Sequence, residues 1–136
     1  MGMWGTGSFE NDIALDWLYD FEVNDFRLID RTLAGIAGMT ETDMLDVDEA
    51  CEVLAAAECV AAAAGFPAAL LPDEIRQWVS DNSPIRVRDA YVTMAQTAVT
   101  HTRTHSELKV LWAETDEYEA WDTAVSDLQE RLNKIK

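Results

Sequence analysis

Apolar residues recur at intervals of three and four along most of this chain, the spacing that lays them along one face of an α-helix. Ile13, Ala14, Trp17, Leu18 and Phe21 make the first such stripe, with Asp12, Asp16 and Asp20 on the opposite face. Ser8 or Asn11 can cap the free N–H groups of that helix, and Glu10 and Asp12 bring negative charge to its positive end. A second helix is predicted from a cap at Asn24 to about Ala37, with Phe26, Ile29, Leu33, Ile36 and Ala37 inward and Gly38 as a left-handed stop. Met39 to Val47 is acidic and aperiodic and reads as a loop from which Leu45 dips into the core. The third helix, near Asp48 to Ala64, places Ala50, Val53, Leu54, Ala57, Val60, Ala61 and Ala64 on one face. Its small side chains let neighbours approach closely, so it is expected to be central, and Gly65-Phe66-Pro67 reads as a Schellman ending.

Four further helices follow by the same pattern. Pro72 starts a short one carrying Ile75, Trp78 and Val79. Ser83-Pro84 starts another, with Val87, Ala90, Tyr91, Met94, Ala98 and Val99 on one face and an end near Thr100. Ser106 caps a short helix with Leu108, Leu111 and Trp112. The last runs from a Thr115 cap to about Asn133, with Tyr118, Trp121, Val125, Leu128 and Leu132 as a packing seam. Each of the five tryptophans, at 4, 17, 78, 112 and 121, falls on an apolar stripe or in the N-terminal segment, so core is the expectation for all.

That N-terminal segment compresses two glycines, three aromatics and a helix start into residues 4 to 17. Trp4, Gly5, Gly7, Phe9 and Trp17 are expected to form a structural anchor, the glycines letting Trp4 and Phe9 fold back onto the helix that begins near Ser8 to Asn11, with the Trp-Gly-Thr-Gly segment packed against the alanine-rich third helix. A glycine-rich loop before a helix can also cradle phosphate. Here the first turn carries its own carboxylates and no Lys precedes Lys109, so neither a complete GxGxxG nor a GxxxxGK[ST] pattern exists. The run Met-Gly-x-Trp-Gly-x-Gly-x-Phe-Glu-Asn-Asp-x-Ala-x-Asp-Trp resembles the opening of a bacterial family known as domain of unknown function 4259. The resemblance continues through 55 to 62, 71 to 74 and 106 to 112 into the acidic, Trp-bearing last helix. It implies a small bacterial cytosolic protein and carries no catalytic role onto any residue.

Length and composition change this picture little, whereas charge changes it a good deal. The 136 residues suit one domain, and 49% hydrophobic content is ordinary for a globular chain. No apolar run approaches the ~20 residues of a membrane span, and the N-terminus lacks a basic region before an apolar one, so a cytoplasmic location is expected. The first residues fit the loose myristoylation pattern, a chance match for a bacterial protein. The net charge is −16, and residues 1 to 60 hold 14 acidic against 2 basic residues, −12 of that total. Such a surface repels nucleic acid and anionic lipid and attracts a basic partner; simple solubility is the competing explanation.

Candidate chemistry is sparse. Cys51 and Cys59 share a helix, ~12 Å apart along its axis, too far for a disulfide, which needs Cα atoms within ~7 Å; they read as packing residues. His101 and His105 have i,i+4 spacing but lack a His-Glu-x-x-His context and fall where helix gives way to loop. Asp48 with Glu52, or Asp12 with Asp16, could pair as acid and base, but 26 acidic residues make such spacings inevitable. Gly5-Thr6-Gly7-Ser8-Phe9 lacks the strand and second glycine of a nucleophile elbow. The expectation is therefore an all-α single-domain bundle of six or seven helices, with no catalytic, cofactor or metal residue assigned. Its function is read as a non-catalytic protein-binding module, immunity- or antitoxin-like, whose Asp12, Asp16 and Asp20 face meets a basic protein. The competing class is a metal-dependent hydrolase using carboxylates with His101 and His105.

Overall fold

The alanines at 55–57 and 61–63 put little bulk on any side of their helix, so other helices can close on it from all around. In the computed structural model, which describes residues 5–24, 26–40, 43–69, 71–82 and 87–135, they do so. Seven helices run through the described residues: α1 Asp12–Asn24, α2 Phe26–Ala37, α3 Val47–Ala63, α4 Asp73–Asp81, α5 Asp89–Thr104, α6 Glu107–Ala113 and α7 Tyr118–Asn133. Helix α3 packs against each of the other six. The sequence pattern assigns it one buried face, yet from Val53 to Ala63 every residue is buried. Among the described residues no strand forms, and the architecture is the expected all-α arrangement.

Both ends of α3 are closed by its own sequence. Asp46 accepts from the Glu49 N–H at 2.7 Å, and at the other end Gly65, with φ of 99°, turns the chain left-handed. The Phe66 N–H then bonds Ala61 O at 2.8 Å and the Gly65 N–H bonds Ala62 O at 3.1 Å, the paired bonds of a Schellman motif. Just before α3, Leu45 is fully buried and bridges to the α5–α6 junction, donating to His105 O and accepting from the Glu107 N–H. The predicted dip into the core is this bridge.

Several boundaries differ from the sequence expectation. Asn24 is the last residue of α1 and α2 begins at Phe26, and Gly38 does not adopt a left-handed conformation. Helix α5 does not stop near Thr100. Its Thr102 and Thr104 hydroxyls bond back to Ala98 O and Thr100 O, both at 2.8 Å, so polar residues that read as a loop are accommodated in the helix. The buried face of α5 is Val92, Ala95, Ala98, Val99 and Thr102; Ala90 is exposed and Tyr91 and Met94 are half-buried. Helix α7 begins at Tyr118 with Thr115 supporting the turn before it. The Ser83-Pro84 start and Trp4 lie outside the described residues, as do the side chains of Phe26 and Ala37.

Candidate interaction surface

The glycine loop holds an anion, and that anion is its own. Glu10 lies under Gly5-Thr6-Gly7, its Oε1 accepting from the Gly7 N–H at 3.1 Å. A Cβ on Gly5 or Gly7 would run into that carboxylate, the movable end of its side chain, so a larger residue there would push Glu10 away from the loop. Asn11 Oδ1 then caps α1 through the Ala14 N–H at 2.7 Å. Phe9 and Trp17 are buried. Trp17 stacks on Phe21 with centroids 5.4 Å apart and donates through Nε1 to Thr32 Oγ1 at 2.9 Å, and Phe21 meets Trp78 edge-on. Of the anchor residues, Gly5 and Gly7 thus lie against Glu10, Phe9 and Trp17 lie in the core, and only Trp17 is bonded to α2.

This packing fixes which face of α1 looks outward. Asp12, Asp16 and Asp20 are exposed on it, with Leu15 and Tyr19 beside them. Folding brings Asp20 to a crevice of about 300 Å³ whose rim also carries Glu49 and Glu52 from the start of α3 and Arg31 from α2, over a floor that includes Trp17, Leu28 and Val53. Burial raises the proton affinity of Glu52, and the charges of Asp48, Asp46 and Asp20 raise it further against the opposing pull of Arg31. Glu49 is raised for like reasons: burial, its hydrogen bond with Asp46, then the charges of Asp46 and Glu52. The sequence gives no sign of this convergence, because the carboxylates lie some thirty residues apart and meet only through the α1–α3 contact. A groove of about 480 Å³ along α4 is also edged by carboxylates, Asp73, Glu74 and Asp81, over Phe21 and Trp78.

The histidines lie elsewhere. His101 is within α5 and His105 is its C-cap, with ring centroids 5.8 Å apart. Their groove, about 480 Å³, is otherwise lined by Gln96, Thr97, Thr100 and Thr104. His101 Nε2 is tied to the backbone carbonyl of Asp43 and His105 Nδ1 contacts Thr104 Oγ1 at 3.1 Å. Among the described residues no three His, Cys, Asp or Glu side chains gather closely enough to hold a metal ion. Cys51 and Cys59 are free and buried; burial, then Asp48 and Glu52, pushes the Cys51 thiol up to about 12, and burial drives Cys59 well above its ordinary range. Two polar assemblies had no single-residue signal. Arg103 grips Asp122 through two bonds of 2.8 and 3.0 Å, and Arg131 lies 2.7 Å from the buried Glu58 of α3 while also bonding Asp127 and Phe66 O.

No curated protein and no solved structure matches the chain. The family model described as a domain of unknown function, DUF4259, matches residues 2–124. That span takes in the glycine loop, the acidic face of α1, the crevice and the start of α7, and the protein belongs to the DUF4259 family.

Proposed function

We propose that this chain is a non-catalytic protein-binding module, immunity- or antitoxin-like, whose acidic N-terminal half engages a basic protein surface in the bacterial cytosol. The observation that carries the reading is the convergence at the crevice. Asp20, Glu49 and Glu52 line it together with Arg31, and beyond the effect of its burial the charges of Asp48, Asp46 and Asp20 raise the proton affinity of Glu52 against the pull of Arg31. Like charges held together cost stability, and a protein retains that cost cheaply where a cationic partner relieves it. Two basic residues of the second half are committed elsewhere: Arg103 to Asp122, and Arg131 to Glu58 and Asp127. Nucleic acid and anionic membranes are not proposed as partners, since their phosphates would meet the same carboxylates. No helix among the described residues is long and apolar enough to cross a membrane. Two free thiols at buried sites suit a reducing compartment.

The test is retention of a basic protein from an extract of the source organism by the immobilised chain. Retention should be strong at low salt and lost at high salt, because exposed charge pairs are screened. Replacing Asp12, Asp16 and Asp20 together by Asn should weaken retention and leave the helical circular dichroism intact. A protein retained equally by both forms at both salts would refute the reading.

A further inference from the structure

Four large apolar side chains are exposed among the described residues: Leu15, Tyr19, Met44 and Val110. Met44 and Val110 stand singly, just before the buried Leu45 and on α6, and isolated apolar residues are normal on a protein surface. Leu15 and Tyr19 are different. They lie one turn apart on α1, and Tyr19 is 76% exposed, so their side chains are neighbours on the solvent face of one helix. At ~100° per residue, Asp12, Leu15, Asp16, Tyr19 and Asp20 fall within an arc of about 140°. Leu15 and Tyr19 take one edge of that arc, Asp16 and Asp20 the other, and Asp12 sits between. The buried face of Ala14, Trp17, Leu18 and Phe21 lies opposite, against α2 and α3.

We infer that this two-toned strip is the contact surface for an arginine-bearing protein segment, one presenting a row of guanidinium groups beside an apolar row. The inference rests on the protein-binding reading above and names its contact residues and the chemistry of the partner. Charge complementarity selects the occupant. A second copy of this chain, meeting the strip with its own, would bring three more carboxylates into the interface and another −16 of charge into the assembly, which opposes self-association. Arginine suits the strip better than lysine: its planar fork meets a carboxylate such as Asp16 through two bonds, and the same plane stacks on an aromatic ring such as Tyr19. An exposed tyrosine ordered on a rigid helix also loses little entropy on contact, which is why tyrosine and arginine recur as interface anchors.

The experiment titrates the isotope-labelled protein with a synthetic amphipathic helical peptide of Arg and Leu, and with its isomer in which Lys replaces every Arg, following backbone amide resonances. The Arg peptide should bind saturably, perturb amides between 12 and 20, and bind more tightly than the Lys isomer. Tyr19→Ala should weaken it by about tenfold or more without changing the salt dependence, Asp16→Asn should flatten that dependence, and Val110→Ala should do neither. All three sites are exposed, so the fold is expected to survive each change, as circular dichroism would verify. Binding that perturbs residues around Glu49 and Glu52 instead, or is indifferent to Tyr19→Ala, would overturn this surface while leaving a protein-binding role in place. Absence of saturable binding by both peptides would overturn the surface together with the basic-partner reading.

Discussion

The thiol of Cys51, with its proton affinity pushed up to about 12, shows how one side chain's chemistry follows from its place. Only a thiolate attacks an alkylating reagent, and burial removes both the charge and the access. Cys51 and Cys59 should therefore stay unmodified by iodoacetamide at neutral pH in the native protein and react together once denaturant opens the fold; rapid native-state labelling of either would contradict their assigned burial. Glu52 obeys the same electrostatics, in a pH range where they bear on stability. Its folded-state affinity for a proton is raised above the ordinary 4.5, so as pH climbs from 4.5 through the folded value the unfolded chain ionises first and the fold loses stability. Glu52→Gln should thus raise stability at neutral pH by less than about 1 kcal/mol, the scale of partly exposed charge repulsion. The gain should vanish below pH 4.5, as urea midpoints across pH would show. Asp122 is held low by its bond to Arg103, so it contributes stability above its ordinary 3.8 that is lost as pH falls through the folded value.

At the level of elements, the α3–α7 seam carries a sharper expectation. Glu58 is 4% exposed within the alanine helix, and its partner Arg131 comes from the last turns of α7. No hydrogen-bond donor is aligned on Glu58 Oε1 among the described residues, so Arg131 holds it by charge. Arg131→Met alone strands a buried carboxylate and should cost about 3 to 5 kcal/mol, whereas adding Glu58→Leu should recover most of the loss, since a buried pair and a well-packed apolar pair are often of similar stability. Additive losses in the double variant would contradict this. Where apolar residues are large and periodic, as in α7 and the first stripe of α1, the sequence pattern already places the core. It misplaces the face of α5, because Ala95 and Thr102 carry little hydrophobic signal and Tyr91 and Met94 carry more than their half-burial warrants. It reads residues 100–105 as loop because Thr hydroxyls that bond back to the helix look, in sequence, like polar linker. The glycine loop shows a third case: two glycines suggest a turn or phosphate cradle, and only the fold reveals Glu10 beneath them.

For the whole molecule, the organising element is α3, reached by all six other helices, and the N-terminal loop contributes Phe9 to the core. The outward acidic face of α1 was legible from the opposition of Asp12, Asp16 and Asp20 to the apolar stripe; the crevice was not, because Asp20 reaches Glu49 and Glu52 only through tertiary packing. This arrangement bears on the charge asymmetry of the chain. Residues 1 to 60 carry −12, and a field of one sign on one side speeds association with an oppositely charged surface in a salt-dependent manner. The most direct measurement is the association rate constant of the purified chain with the proposed basic partner, taken across ionic strength for the natural sequence and for the Asp12, Asp16 and Asp20 to Asn variant. The account predicts a rate that falls steeply with salt for the natural chain and a markedly flatter dependence for the variant. Identical slopes for the two proteins, or a rate indifferent to salt, would contradict it.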